Sequence, residues 1–458
     1  MAVTELSTEQ KVQEVEAVFT AGRPYEALTR LGQLMLGGAD DAMLVDAIVI
    51  LHRTHGIGAA TGALALAETL DAPQEVLERH RAEVETHRMQ RLLPEVLGRI
   101  AFLALGEPIE GNYDVERWPD GKPTRTREDV VGTIRYMAEH AEELEWAADR
   151  LDAESREVLT QRLVYLTLDH ERAEIGPTIE QLEQLTELAR TQLQTAERVH
   201  GLGYMDAVNQ RDFLYSHRFD LHPIGFPIVL ETSMFGVQAT YQLQQYWAPH
   251  HPEARPRKGD VVVDGGGYLG ETALWFAHVV GETGRVMTFE LETGALAVMR
   301  ENLNANPALA SRIEINEHAL WDEPGCELPI LVSGPGTTLM AGAPGSGADD
   351  SAADGSGPVE QLVSTTSIDA LVASGELERV DFVKLDIEGA ESQALAGAEQ
   401  TLRRFRPRLA LAAYHEFDDM WALMRQIDQL ELGYRFAMSH FTPHHEETIL
   451  YAWVEEDR

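Results

Sequence analysis

The stretch VVVDGGGYLGETALWFA, residues 261–277, constrains the fold more than any other part of the sequence. Its β-branched run predicts a buried strand, and the apolar spacing after Gly270 predicts a helix. Between them, Gly265, Gly267 and Gly270 form the pattern GxGxxG. Glycines at the end of a first strand let the backbone approach a ligand closely. The stretch therefore predicts a strand, a ligand-binding loop and a helix, with a dinucleotide or S-adenosylmethionine as the ligand.

From residue 258 onward, the chain alternates short apolar runs with amphipathic segments. This order is typical of βαβ units and a parallel sheet. The last two runs, YRFAMSH and EETILYAWV, follow each other without a helix, so they must pair antiparallel as a hairpin. We therefore predict an α/β fold. It consists of a Rossmann-like sheet of the class I methyltransferase type with a terminal antiparallel hairpin, preceded by an all-α N-terminal half.

The first half of the chain, up to about residue 215, carries apolar residues at the three- and four-residue spacing of helices. A stretch dense in Gly, Pro and charge, residues 106–129, predicts a loop between two helical groups. We predict a helical region at 1–105, a second at 106–215 and a ligand-binding domain at 216–458. Gly, Ser, Ala and Asp dominate residues 333–358, which predicts a mobile surface loop.

Charge limits the choice of partners. The chain has 37 Lys and Arg against 76 Asp and Glu, for a net charge of −39. A surface this acidic repels phosphate backbones, which argues against a nucleic-acid partner. It is consistent with a solvated surface or with adaptation to high salt. No apolar run reaches the roughly 18 residues of a membrane span, and the N-terminus lacks the features of a secretory signal. We therefore expect a cytoplasmic protein with no membrane partner.

Three features distinguish between the two ligands of the glycine loop. Asp264 ends the strand where a pyrophosphate would pass, so its carboxylate would repel a dinucleotide but suit the cationic methionine end of S-adenosylmethionine. Glu290 ends the second strand, where an acid can accept the ribose hydroxyls of either ligand. The closing hairpin is the arrangement of class I methyltransferases. These features predict S-adenosylmethionine as cofactor and disfavour a nicotinamide oxidoreductase.

Several motifs together resemble the FkbM-type methyltransferases. They are DGGGYLGETALWFA, TFELE, NEHALWD, SIDALV, VDFVKLDIEGAE and LGYRFAMSHFTPHHEETILYAW. The resemblance covers about 216–458, and DIEGAE is its most specific part. It implies S-adenosylmethionine-dependent O-methylation of a hydroxyl on a sugar, glycan or secondary metabolite. The helical part before about residue 140 has no counterpart in this family that we can name.

The resemblance also implies roles for individual residues on the donor side. Asp264 and the backbone of the loop glycines should cradle the methionine and ribose portions of the donor, and Glu290 should hold the ribose hydroxyls. Three residues at the end of the third strand should border the adenine. The residues concerned are Asp264, Gly265, Gly266, Gly267, Gly270, Glu290, His318, Ala319 and Leu320.

The acceptor side should lie at the ends of the next two strands, on the same edge of the sheet as the glycine loop. Asp386 follows one strand and His415 the other. We predict both as catalytic, with His415 as general base, because imidazole titrates near neutral pH. Asp386, Asp419 and His415 could instead hold a divalent cation such as magnesium. The sequence does not decide between these alternatives.

The sequence therefore predicts an S-adenosylmethionine-dependent O-methyltransferase that acts on a small-molecule or glycan acceptor. The helical half would gate the substrate or form a homodimer. An alternative is a helical protein-interaction platform joined to a donor-binding domain without catalysis. The acid and histidine at the donor's edge argue against this alternative, since binding alone does not require them.

Overall fold

The computed structural model describes residues 92–113, 123–192, 216–332, 338–339 and 359–455. The chain divides into two compact units, one comprising residues up to 178 with 443–445 and the other comprising the remainder. The domain boundaries proposed from the sequence stay predictions. No helix among the described residues is both long and apolar enough to cross a membrane.

The first unit consists of helices over its described residues. They are α1 (Leu92–Leu105), α2 (Arg127–Glu139), α3 (Ala141–Ala148) and α4 (Ala153–Leu168). Polar caps start two of them: Thr126 and Asp129 form a capping box at α2, and the Asp152 carboxylate accepts the Ser155 N–H at α4. Such caps satisfy backbone donors that have no partner within the helix. The helices predicted within residues 1–91 lie outside the described residues.

The second unit contains all the strands that the structure describes. They are β1 (His217–Asp220), β2 (Val229–Thr232), β3 (Val261–Gly265), β4 (Arg285–Phe289), β5 (Ile313–Asn316), β6 (Ala319–Leu320), β7 (Glu327–Val332), β8 (Thr338–Leu339), β9 (Val359–Thr366), β10 (Phe382–Leu385), β11 (Arg408–Ala412), β12 (Tyr434–His440) and β13 (Thr448–Val454). Its helices are α5 (Ile179–Gln192), α6 (Met234–Val237), α7 (Glu271–Val280), α8 (Thr293–Ala305), α9 (Pro307–Ala310), α10 (Ile368–Ser374), α11 (Glu391–Ala396), α12 (Glu399–Phe405) and α13 (Asp419–Asp428).

Seven of these strands form the main sheet, in the order β12-β13-β11-β10-β3-β4-β5. The strands from β11 to β5 in this order are parallel, and β13 pairs antiparallel with both β11 and β12. The predicted α/β fold with a terminal antiparallel hairpin is therefore confirmed. The order reverses between β3 and β10, the position at which open α/β sheets bind ligands beyond the carboxyl ends of their strands.

The central strands are apolar because both faces of the sheet are covered. Val262 and Val263 of β3 have no exposed surface, and every residue of β10 is buried. Trp275 and Phe276 of α7 pack in the same core. Parallel strands covered on both faces have near-continuous hydrophobic runs of this kind.

Two smaller sheets accompany the main one. β1 and β2 form an antiparallel hairpin. Asn306, directly after α8, holds β2, because its side-chain amide accepts from the Val229 N–H and donates to the Val229 carbonyl. The second sheet has the order β6-β9-β7-β8. Of the predicted mobile loop, residues 338–339 form β8, and the rest of 333–358 lies outside the described residues.

Candidate active site

The glycine loop follows β3, as predicted, and its backbone is held by neighbouring strands. The N–H groups of Gly266 and Gly267 donate to the Phe289 carbonyl, at 3.0 and 2.8 Å. Gly266 and Gly270 have φ angles of +82° and +91°, which glycine adopts without strain. A Cβ at Gly266 would lie 1.9 Å from the Asp386 carbonyl oxygen, and one at Gly267 would lie 2.1 Å from Thr288 Oγ1. Glycine is therefore required at both positions.

Lys384 is a component of this loop that the sequence reasoning missed. Its side chain is 1% exposed, and Nζ donates to the carbonyl oxygens of Gly265 and Gly266 at 2.9 and 2.6 Å. The same atom lies 3.4 Å from Asp264 Oδ1. A signal was present in the sequence, since Lys384 is one of only four lysines and stands inside the apolar run DFVKL. Its charge fixes the course of the loop.

Asp264 is fully buried, and its carboxylate accepts hydrogen bonds from side chains of the protein. Thr272 Oγ1 donates to both carboxylate oxygens, at 3.0 and 2.9 Å, and Thr288 Oγ1 donates to Oδ2 at 2.9 Å. Burial raises the pKa of Asp264, although Lys384 and the two threonines oppose that shift. Asp264 thus joins β3, β4 and α7 beneath the loop. Its direct contact with the methionine end of a donor stays a prediction.

Glu290 lies directly after β4, with its carboxylate turned toward the glycine loop. Oε2 accepts the Tyr268 N–H at 2.8 Å, and Oε1 accepts the N–H groups of Leu291 and Glu292 at 2.7 and 2.8 Å. Burial raises the pKa of this carboxyl, while the three backbone donors oppose the rise. Each carboxylate oxygen has further lone pairs, so a ligand hydroxyl can still donate to it.

The residues predicted to border the adenine lie beyond β5, which ends at Asn316. His318 is exposed, and its backbone N–H donates to the Asn316 side chain at 3.0 Å. Ala319 and Leu320 do not continue β5; they form β6 and pair with β9 in the smaller sheet. A Leu320 methyl group lies 3.0 Å from the Cβ position of Gly265, so this strand contacts the glycine loop.

Asp386 follows β10, the strand next to β3, and its backbone N–H donates to the Gly265 carbonyl at 3.1 Å. Two tyrosines orient its carboxylate: Tyr246 Oη donates to Oδ2 at 2.7 Å and Tyr414 Oη donates to Oδ1 at 2.9 Å. Burial alone would raise the pKa of Asp386, but the charges of Lys384 and His415 outweigh it and lower the pKa. Asp386 is therefore an oriented carboxylate beside the glycine loop. The sequence singled out neither tyrosine.

His415 follows β11 and lies among three carboxylates. Nδ1 is 3.0 Å from Glu391 Oε1, whereas Nε2 lies 3.6 Å from Asp386 Oδ1 and 3.5 Å from Glu388 Oε2. Burial opposes protonation, but these carboxylates raise the pKa of His415 well above its usual range. The structure thus brings His415 and Asp386 together, as the sequence predicted. The roles of both residues in catalysis stay predictions.

Further acids surround this pair. Burial raises the pKa of Glu388 to about 7 and that of Glu447 to about 8. Asp386, Glu391 and His415 each offer a ligand atom within 4.8 Å of the others, the spacing of a cation site. Asp419, which the sequence grouped with them, is not in this set, and its carboxylate accepts the Glu416 N–H at 2.8 Å. Glu391 takes its place because the turn after β10 brings it back toward His415.

Part of the chain matches one family model, and three solved structures are distant structural neighbours. Residues 264–436 match the family model described as the methyltransferase FkbM domain. No curated protein matches the sequence. A methyltransferase FkbM from Methylobacillus flagellatus KT shares 18% identity over 70% of this chain and 60% of that chain, with a TM-score of 0.41. This chain therefore spans less than two thirds of that protein.

The other two neighbours are more distant. An O-methyltransferase from Bacillus cereus in complex with SAH shares 15% identity over 43% of this chain and 75% of that chain, with a TM-score of 0.28. Fibrillarin from Aeropyrum pernix, with natively bound S-adenosyl-L-methionine, shares 12% identity over 52% of this chain and 88% of that chain, with a TM-score of 0.30.

Proposed function

Because the chain carries a methyltransferase FkbM domain, we propose that it transfers the methyl group of S-adenosylmethionine to a hydroxyl oxygen of an acceptor. The observation that carries the proposal is the packing of the glycine loop. Gly266 and Gly267 leave no room for a Cβ, and Lys384 donates to the carbonyls of Gly265 and Gly266 at the switch point of the sheet. Such a loop at such a point is built for close approach of a ligand.

On the donor side, the backbone of Gly265, Gly266, Gly267 and Gly270 would contact the methionine and ribose portions. Glu290 would accept the ribose hydroxyls, since three backbone donors already fix its carboxylate. The adenine would lie against His318, Ala319 and Leu320. Asp264 would act indirectly. Its contacts with Thr272, Thr288 and Lys384 would hold the loop in place.

Electrostatics supports a cationic donor over a dinucleotide. Asp386 and Glu388 lie on the turn after β10 and Glu391 begins α11, and all three carboxylates lie within 3.6 Å of the His415 ring nitrogens. A negative potential at this edge attracts a sulfonium and repels a pyrophosphate. The nearby positive charge of Lys384 is engaged with two carbonyl oxygens and with Asp264.

In the reaction, the acceptor oxygen attacks the methyl carbon as the carbon–sulfur bond breaks, and the bonding electrons pass to sulfur. Positioning the oxygen in line with that bond supplies much of the rate. The hydroxyl proton must go to a base, for which His415 and Asp386 are our candidates because they lie beside the loop. A divalent cation such as magnesium would instead lower the pKa of the hydroxyl, so that its proton could pass to water.

The identity of the acceptor rests on the resemblance to FkbM-type enzymes. We propose a hydroxyl of a sugar, glycan or secondary metabolite. A homodimer, a cytoplasmic location and the absence of nucleic-acid and membrane partners remain expectations from the sequence.

The proposal is tested by calorimetric titration with S-adenosylmethionine, S-adenosylhomocysteine and NAD, for the wild type and for Glu290→Gln. The matched control is Glu314→Gln, which changes an exposed glutamate of β5 in the same sheet. We expect the two adenosyl ligands to bind, NAD not to bind, and only Glu290→Gln to weaken binding. Binding of NAD alone, or an equal effect of both substitutions, would contradict the proposed donor site.

A further inference from the structure

Nε2 of His415, the ring nitrogen nearer to Asp386 and Glu388, is buried without a hydrogen-bond partner. The side chain is 9% exposed, and Nε2 makes no hydrogen bond. A buried polar atom without a hydrogen-bond partner is costly, and a bound ion is one of the explanations for such an atom. A metal ion at Nε2 would satisfy this atom.

The distances around Nε2 match the ligand spacing of a small metal ion. Asp386 Oδ1 lies at 3.6 Å and Glu388 Oε2 at 3.5 Å. Two ligand atoms that are each about 2.1 Å from a tetrahedral metal are separated by about 3.4 Å. Each of the two carboxylate oxygens therefore lies near the separation at which it could share a cation with the imidazole nitrogen.

The other side of the imidazole is held in the manner of a metal-bound histidine. Glu391 is 1% exposed, and its Oε1 lies 3.0 Å from Nδ1 and also accepts the Ile387 N–H at 2.8 Å. A carboxylate on one ring nitrogen fixes the tautomer and directs the other nitrogen toward a metal. Tyr414 holds the Asp386 carboxylate in place, because its hydroxyl donates to Oδ1.

We propose that His415 Nε2, Asp386 and Glu388 bind a divalent transition-metal cation of the zinc type, with Glu391 as the residue that positions the imidazole. An imidazole ligand favours zinc over magnesium, which prefers oxygen ligands throughout. Three protein ligands leave a fourth position open, as in catalytic zinc sites. The binding site stands on this geometry alone, whereas its use on an acceptor hydroxyl rests on the proposed function.

The experiment titrates the metal-stripped full chain with Zn²⁺ against a chromophoric chelator, in the absence of S-adenosylmethionine. We expect one tight equivalent in the wild type, its loss in His415→Ala, and roughly 10–100-fold weaker binding in Glu391→Gln. His222→Ala is the matched control, because His222 is an exposed histidine whose Nδ1 also contacts an aspartate. It should retain the tight equivalent.

Three results would overturn the proposal. They are the absence of a tight equivalent in the wild type, an equal loss in His222→Ala, and equally effective competition by Mg²⁺ at the same concentration. Donor binding is measured separately with S-adenosylmethionine on the metal-stripped chain. If S-adenosylmethionine does not bind, the zinc titration still tests the zinc site. If zinc does not bind, the titration with S-adenosylmethionine still tests the donor site.

Discussion

A single added methyl group at Gly266 tests the structure of the glycine loop. In Gly266→Ala the new Cβ would lie 1.9 Å from the Asp386 carbonyl oxygen. Contacts of Cβ atoms under 3.0 Å are essentially never seen, so the two backbones must separate by about 1 Å in a close-packed interior. No change of rotamer can relieve a contact with backbone. The movement would therefore shift the loop, Asp386 or both.

Gly375→Ala separates this clash from backbone strain. Gly375 has a φ of +84°, close to the +82° of Gly266, but a Cβ at Gly375 would meet nothing within 4 Å. Alanine in the left-handed region costs about 1–2 kcal/mol at either position. Gly375→Ala should lose only that much stability. Gly266→Ala should lose more, and a displacement of about 1 Å in the proposed donor loop should weaken donor binding by about tenfold, which corresponds to a loss of about 1.4 kcal/mol.

Urea denaturation measures the free energy of unfolding of both variants, and calorimetry measures their affinity for S-adenosylmethionine. We expect Gly375→Ala to bind the donor as the wild type does. The reasoning is refuted if both variants lose the same stability, or if Gly266→Ala keeps wild-type affinity.

Three further predictions concern buried charges and their partners. Lys384→Met should destabilise the fold by about 3–5 kcal/mol, because it leaves Asp264 buried without its cation. Adding Asp264→Asn should recover part of that loss in urea denaturation. If the losses of the two single variants simply add in the double variant, the two side chains do not interact. Burial raises the pKa of Glu271 to about 7. Its protonated form therefore favours folding, and stability should fall by up to about 3 kcal/mol as pH rises from 4.5 to 7. In Glu271→Gln that part of the decline should vanish, and an unchanged pH profile of unfolding would contradict it. Tyr414→Phe should leave the affinity for S-adenosylmethionine unchanged and slow methyl transfer, which a radiolabel assay with an identified acceptor would measure, because Tyr414 orients Asp386.

The elements that the sequence predicted well are those with a strong local pattern. The β-branched run of β3, the glycines after it and the helix α7 follow one another directly, so no long-range information was needed. The terminal hairpin was predictable for a similar reason, since two strands without a helix between them have only one simple way to pair. The parallel neighbours of β3 followed from the alternation of strands and helices.

The elements that were missed depend on contacts between distant segments. β6 was predicted as part of the third strand, but it leaves the main sheet because Ala319 and Leu320 pair with Thr365 and Thr366. Glu391 replaced Asp419 in the group around His415, since the turn that brings it there is set by packing and not by spacing. Tyr246 lies 140 positions from the carboxylate it contacts, which no local pattern could show.

The charges at the edge of the sheet also bear on turnover. S-adenosylmethionine carries a positive sulfonium, and S-adenosylhomocysteine, the product, does not. In the proposed donor site, Asp386, Glu388 and Glu391 would attract the donor by a Coulomb interaction that disappears when the methyl group leaves. An enzyme with this arrangement should prefer donor over product, and the preference should shrink as salt screens the acids that remain accessible to solvent. Titrations with the two ligands at low and high salt measure this difference, and equal affinities at low salt would show that the acids do not act on the sulfonium.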